Sequence, residues 1–519
     1  MPIPVIDVFA GPGGLSEGFS SVKGNGKLFF DVKLSIEKDP IAHRTLELRS
    51  FYRQFIKQGK PVPPEYYDVL RETDIDKREA KRKALLESYP EGKIAKKDAL
   101  LHELGPKTRE HTDALIKKAL GKNHKKDWVL IGGPPCQAYS LVGRSRVGGI
   151  NENDHRVYLY QEYLHIIAEH QPAVFVMENV KGLLSASLNG EKIFHKILGD
   201  LSQPSLVTSN KSCPDYNIYS LVKKDVSADK DYLIKAENYG VPQKRHRVIL
   251  LGIRNDIRTK PSVLTLAPQY TSLESIIGKL PPVRSAISRT FDSVIINEGK
   301  GKRNYSKVED TDLAWRKFIS EFKSDIFSWN GFSAKDLNGK VSFEYGRGAE
   351  FIPYNEETLD INHPLYKWYY DKKLKGVINH ESRSHLLQDI KRYLFSSLYT
   401  KKYNKFPRLE HIEQHSASLL PDHKNVKSGN FNDRFRVQLR DIPATTVTSH
   451  ISKDGHYFIH YDPLQSRSLT VREAARIQTF PDNYLFCGSR TQQFHQVGNA
   501  VPPYLAKQIG EIVKEVFKN

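Results

Sequence analysis

The chain of 519 residues is short of cysteine, of acid and of long apolar runs. Its three cysteines, Cys136, Cys213 and Cys487, lie far apart with no Cys-x-x-Cys spacing. That excludes a disulfide framework or a cysteine zinc cluster and fits a reducing cytoplasm. His411 and His415 are four apart but lack the His-Glu-x-x-His order, so they read as surface or capping residues, and no metal is expected. No apolar stretch approaches the roughly 18 residues that span a bilayer, so a membrane protein is not expected. Ile3 to Phe9 starts an apolar run at once, with no basic region before it and no small-residue cleavage site, so secretion is not expected either. Internal repeats and low-complexity segments are missing as well.

Negative charge is the scarcer sign. Lys and Arg number 79 against 60 Asp and Glu, a formal net charge of +19, which points to a polyanionic partner. Without a basic amphipathic anchor or a lipidation signal, nucleic acid is the partner expected. The length predicts two domains or more.

The first 40 residues read as strand (Val5 to Phe9), glycine-rich turn (Gly11-Pro12-Gly13-Gly14), helix (Leu15 to Val22) and strand (Val32 to Glu37). Further strand-like runs at Trp128 to Ile131, Ala173 to Met177 and Val248 to Ile253 alternate with helical patterns at Arg156 to Glu169, Glu191 to Leu201 and Asp231 to Tyr239. The alternation predicts a doubly wound, mostly parallel α/β sheet. Residues 77–126 read as a helical insertion with fifteen Lys and Arg against seven Asp and Glu, either a solvated hairpin or a nucleic-acid-contacting arm. The α/β rhythm stops after Ile253. A smaller second domain is expected over 284–439, with residues 1–283 and 440–519 forming the first. Helices are expected at Val471 to Thr479 and Pro503 to Val516.

Four segments carry chemistry. Gly132-Gly133-Pro134-Pro135-Cys136-Gln137 follows a buried strand, and a thiol on such a stiff turn is exposed and aimed, as a nucleophile must be. Phe9-Ala10-Gly11-Pro12-Gly13-Gly14 lets a cofactor approach backbone at a helix start, and its tight glycine spacing departs from the pyrophosphate-binding pattern. Glu37, ending the second strand, is placed to accept hydrogen bonds from ribose hydroxyls. Glu178, in Met177-Glu178-Asn179-Val180, ends another strand, where a carboxyl group can pass a proton to a ring nitrogen. Arg245 and Arg247, in Gln243-Lys244-Arg245-His246-Arg247, enter a strand in alternation and so share a face, as a phosphate or carbonyl clamp would.

In this order, the segments resemble the DNA cytosine-5 methyltransferase family over roughly residues 3–280 and 440–517. The matches are Asp7 to Gly14, Gly133 to Gln137, Glu178 to Val180, Gln243 to Arg247, Arg467 to Asp482 and Gln496 to Pro502. A looser one, Thr73-Asp74-Ile75, replaces the family's Gly-Asp-Ile.

The resemblance implies a Rossmann-like methyltransferase sheet with a target-recognition domain, and methyl transfer from S-adenosylmethionine to carbon 5 of a flipped cytosine in double-stranded DNA. It implies Cys136 as nucleophile, Glu178 as proton donor toward N3, and Arg247 with Arg245 holding the base carbonyl and a phosphate. The cofactor would be bound by Asp7, Phe9, Ala10, Gly11, Pro12, Gly13, Gly14, Glu37, Asp74, Pro135, Asn499 and Val501. Gln137, Ser140, Arg144 and Arg146, within a closing loop over Ala138 to Asp154, would contact DNA. A cytoplasmic, nucleoid-associated monomer in a restriction-modification or phage-defence setting, with a cognate endonuclease as a partner, is the expected context. Two alternatives stand beside it: methylation of tRNA by the same chemistry, and a DNA-binding paralogue without activity.

Overall fold

The computed structural model describes residues 2–124, 126–135, 159–188, 190–297, 300–326, 328–337, 344–421 and 432–518. Eight strands form the central sheet: β1 (Ile3–Val8), β2 (Phe30–Glu37), β3 (Ala99–Leu101), β4 (Val129–Gly132), β5 (Val174–Val180), β6 (Tyr216–Ser220), β7 (Leu233–Lys235) and β8 (His246–Arg254). Their order is β6-β8-β5-β4-β1-β2-β3, with β7 also paired to β8. From β3 to β5 every pairing is parallel, while β8 runs antiparallel to its neighbours. The α/β class is therefore as expected, and the parallel part explains its continuous apolar strands, buried on both faces.

One face packs under α6 (Arg109–Leu120), α7 (Leu159–His170) and α8 (Ile193–Ser202), with Val8, Ile36, Leu130 and Met177 from the sheet. The other packs under α1 (Gly14–Phe19) and the last helix, α13 (Pro503–Val516), against Val5, Ile131, Val176 and Ile249. The chain end thus returns to the first domain.

Residues 77–126 do not form an insertion beside the sheet. They contain α4 (Ile75–Ser88) and α5 (Pro90–Asp98), then β3 itself, then α6, whose Ile116 and Leu120 are core residues. Before them lie α2 (Pro40–Gln58) and α3 (Pro64–Arg71). The basic excess is also partly internal. Arg78 is buried and pairs with Glu350 at 2.8 Å, and Arg82 is buried between Glu47 and Glu79. The helical pattern expected at Asp231 to Tyr239 resolves instead into two 3-10 turns flanking β7. Segment 231–239 is too short of an apolar stripe for a longer helix to bury.

The second region has a core of its own, built from α9 (Asp312–Ile326), α10 (Leu387–Tyr403) and residues such as Ile287, Trp329, Phe435 and Ile459. A long hairpin, Arg289–Asn297 with Lys300–Lys307, stands at its start. Residues Leu359 to Val377 belong elsewhere. They share a core with α11 (Val471–Ile477) and α12 (Arg490–Asn499), so the boundary at 283/284 and 439/440 is not a clean cut. No helix among the described residues is long and apolar enough to cross a membrane.

Candidate active site

The carboxyl edge of the parallel strands carries two clusters. The first lies over β1 and β2. Phe9, Gly11 and Gly13 all take positive φ, which lets the chain turn from β1 into α1 within a few residues. Glu37 Oε2 accepts from the Gly11 amide at 2.8 Å and Oε1 from the Asp39 amide at 2.7 Å, so this carboxylate fixes the loop. Gly14 meets the returning chain: a Cβ there would stand 2.3 Å from the Val501 carbonyl oxygen. Pro12 and Gly13 are buried and Ala10 is half-buried, whereas Asn499, last in α12, is exposed.

Asp7, next to last in β1, has no exposure, and neither carboxylate oxygen has a partner in hydrogen-bond geometry. Burial pushes its carboxyl up to about 7, opposed by Ser16 and Arg53 and reinforced by Glu37. A buried carboxylate with no partner in hydrogen-bond geometry, next to this glycine-rich turn, is a candidate for meeting a cationic or hydroxyl-rich group.

The support beneath this loop was not read from sequence. Arg49 of α2 pairs with Glu17 of α1, 2.9 Å from Nε to Oε2, and donates to Asn483 Oδ1 at 2.9 Å. The Tyr484 hydroxyl donates to the Pro12 carbonyl. Asn483 and Tyr484 directly follow the quoted Arg467 to Asp482 segment, which is the one signal that could have found them. That segment itself is a hub of buried arginines. Arg467 makes a bidentate pair with Glu473, Arg476 another with Asp482, and Arg472 donates to three carbonyls.

The second cluster lies over β4, β5 and β8. Glu178 Oε1 is 2.8 Å from Arg247 Nε, with both side chains about 15% exposed. Gly133 runs close beside them: a Cβ there would stand 3.0 Å from Glu178 Oε2. The Gly133-Pro134-Pro135 backbone therefore passes against the acid just before position 136. Cys136, Gln137, Ser140, Arg144, Arg146 and the loop Ala138 to Asp154 lie outside the described residues.

Arg245 departs from the expected clamp. It is 2% exposed, and its guanidinium donates to the Val447 carbonyl at 2.8 Å and the Gly498 carbonyl at 3.2 Å. Those bonds tie the entry of β8 to the two returning segments, so here Arg245 holds backbone and not a ligand. Gln243 does the same, accepting from the Val447 amide at 2.8 Å and donating to Gln478 Oε1 at 3.0 Å. The alternation of Arg245 and Arg247 did not determine what each would meet.

Asp74 is also placed elsewhere. It is exposed and caps α4, accepting from the Lys77 amide at 2.9 Å. The third parallel strand ends at Leu101, so Thr73-Asp74-Ile75 is not at the sheet edge. A local hydrogen bond to a helix amide is what Asp before a helix ordinarily makes. Among the described residues no group of three or more His, Cys, Asp or Glu could hold a metal, and His411 caps its helix by accepting from the Arg408 amide.

A model of the C-5 cytosine-specific DNA methylases matches residues 107–515. The type II methyltransferase M.Bpa9945I of Bacillus paralicheniformis is 32% identical over 530 residues, covering 99% of each chain. The type II methyltransferase M.DdeI of Desulfomicrobium norvegicum is 26% identical over 403 residues, 75% of this chain and 73% of its own. A solved structure of a prophage-encoded protein (E. coli) aligns over 100% of both chains with a TM-score of 0.52 at 19% identity, a likeness of fold.

Proposed function

This chain belongs to the C-5 cytosine-specific DNA methylases, and is a DNA cytosine-5 methyltransferase; on that premise we propose that it methylates carbon 5 of a cytosine flipped from duplex DNA, through a covalent bond to Cys136. The observation that carries the mechanism is the second cluster. The strand bearing the Gly133-Pro134-Pro135 turn lies between Glu178 on β5 and the glycine-rich loop on β1, a strand order that supports assigning nucleophile, proton donor and methyl source to one edge.

Cytosine carbon 5 is a weak nucleophile. Addition of the Cys136 thiolate to carbon 6 moves the ring's electron pair to carbon 5 and charge toward N3, where a proton from Glu178 meets it. Arg247 keeps Glu178 in place and presents its remaining guanidinium donors to the base carbonyl. S-adenosylmethionine supplies a methyl group on a positively charged sulfur. Once methylated, carbon 5 loses its proton to a solvent base, N3 returns its proton to Glu178, the carbon 5 to carbon 6 double bond re-forms, and the sulfur of Cys136 leaves as the thiolate. Asp7 and Glu37 fit that cofactor: a buried carboxylate suits its amino group, and Glu37 its ribose hydroxyls, with the peptide groups of Phe9 to Gly14 between them. Arg245 acts by fixing the backbone from which Arg247 projects. Attack on the ring faces requires the base outside the stack.

The names of the type II relatives support a restriction-modification role with a cognate endonuclease, in the cytoplasm where the chromosome lies. Sequencing the methylome of a methylation-free host that expresses the protein identifies the target. A duplex with 5-fluorocytosine at that position should then form an adduct that survives denaturation, and Cys136→Ser should form none. Adducts on tRNA in place of DNA, or on neither, would overturn the proposal.

A further inference from the structure

Beneath the glycine-rich loop, the buried Asn483 is bonded at both ends of its amide. Oδ1 accepts from Arg49 Nη1 at 2.9 Å, and Nδ2 donates to Asp371 Oδ2 at 2.7 Å. The two ends cannot be exchanged. A guanidinium only donates and a carboxylate only accepts, so these charged neighbours fix which way the amide points.

Asp371 comes from the stretch that the sequence assigns to the second domain, yet it is bound to the first. The Tyr67 hydroxyl of α3 donates to the same Oδ2 at 2.8 Å, and Arg71 of α3 donates to the Leu374 carbonyl at 3.2 Å. Asp371 Oδ1 caps the turn Lys372–Leu374, accepting from the Lys373 amide at 2.9 Å. Held by its own turn and by α3, the carboxylate is a fixed point from which Asn483 is aimed.

From Asn483 the bonds continue to the loop. The Arg49 guanidinium carbon lies 4.0 Å from the Tyr52 ring centroid and 4.8 Å from that of Tyr484. Those rings cover the cation, while Glu17 and Asn483 accept its hydrogen bonds. Glu17 belongs to α1, whose cap is Gly13, and Tyr484 bonds the Pro12 carbonyl. Asp371, Asn483, Arg49 and Glu17 thus follow one another, each bonded to the next, up to the loop.

We propose that Asp371 is a positioning residue for the methyl-donor site: it aims Asn483, Asn483 holds Arg49, and Arg49 with Glu17 sets α1 and the glycine-rich loop. This rests on the reading that S-adenosylmethionine lies against that loop. Asp371 acts through other residues, so it governs affinity for the cofactor and not the rate of methyl transfer.

Reversing the polarity of the bond between Asp371 and Asn483 tests it, with calorimetric titration of S-adenosylhomocysteine. Asp371→Asn, with Oδ1 kept on the Lys373 amide, sets two amide donors face to face, and Asn483→Asp sets two acids face to face. Each change should raise Kd by about tenfold, the scale of one lost hydrogen bond to a charged group. The Kd for duplex DNA and kcat at saturating cofactor should stay within about twofold of the parent's. Together the two changes place an acid opposite an amide again. The double variant should therefore return to within about threefold of the parent, since partners in one bond are not additive, whereas a general loss of packing would not be repaired. A Kd for Asp371→Asn within about twofold of the parent's, or a double variant as weak as the product of the two singles, would overturn the proposal. Asp371 is only half-buried, so Asp371→Asn decides alone if Asn483→Asp does not fold. Failure of the unaltered protein to bind S-adenosylhomocysteine is a different result: it would sink the cofactor reading on which this one stands.

Discussion

Two glutamates stand at the carboxyl edge of the same sheet and are kept in opposite ways. Glu37 is tied to backbone amides, those of Gly11 and Asp39. Glu178 is neutralised by Arg247 at 2.8 Å and crowded by the Gly133 backbone. A carboxylate held by amides is a fixed acceptor, suited to hydroxyl groups. One held by an arginine is oriented, with one oxygen committed to the guanidinium. One sheet edge thus carries two acids that differ in what each is bonded to, and on the proposed reading one binds and the other reacts.

The sharpest way to break that contrast is Glu178→Gln. The amide keeps the shape and the contact with Arg247 but has no proton to transfer, so kcat should fall about 10²–10⁴-fold. Binding of DNA and of S-adenosylhomocysteine should persist. A kcat close to the parent's would place the proton donor elsewhere.

Asp7 extends the comparison to an acid with no partner. Its carboxyl is raised to about 7 by burial, so between roughly pH 4 and 7 the folded protein holds a proton that the unfolded chain has released. Stability should therefore fall as pH rises through that window and level off above it. One such group contributes a slope of up to about 1.4 kcal/mol per pH unit. Asp7→Asn should remove the slope and make the free protein more stable than the parent at pH 8, as read by denaturant titration. Equal pH slopes in the two proteins would show that Asp7 is not the group responsible.

Glu37→Gln should act on binding alone. Loss of a charged acceptor costs about 1.5–3 kcal/mol, or roughly 10- to 150-fold in Kd for S-adenosylhomocysteine. The kcat at saturating cofactor should change little. A matching loss in kcat would dissolve the distinction between the two glutamates.

The central strands were legible from sequence because parallel strands buried on both faces are continuous apolar runs between turns. β3 was not, for two reasons. It is three residues long, and Ala-Leu-Leu directly after a helix looks like that helix continuing. Asp74 rested on the looser resemblance of Thr73-Asp74-Ile75, and in the fold that acid caps a helix. Residues at the turns were visible wherever glycine and proline set the backbone, as at Gly11 to Gly14 and Gly133 to Pro135. What Arg245 meets was not visible, because its acceptors, Val447 and Gly498, come more than 200 residues later in the chain. The support under the glycine-rich loop, from Arg49, Asn483 and Tyr484, was hidden for the same reason.

The smallest effect is expected from the lysines of α4 and α5, where the basic excess first suggested a DNA arm. Arg78 and Arg82 are spent on buried pairs and Lys81 on Glu72 at 2.6 Å, while Lys77, Lys83, Lys93, Lys96 and Lys97 are exposed, and three of these make the test. Of these helices α5 packs beside β2 and β3 with α4 packed on α5, and four strand spacings, about 19 Å, separate β3 from β5 with its Glu178. Each phosphate contact adds about 0.9 to the slope of log affinity against log salt, so loss of three would flatten it by about 2.7. Replacing Lys83, Lys93 and Lys97 together by glutamine should leave the slope within about 0.5 of the parent's and the methylated cytosine the same. A drop of two or more would restore the DNA arm, and would mean that the binding half of the sheet edge, as well as the reacting half, lies under nucleic acid.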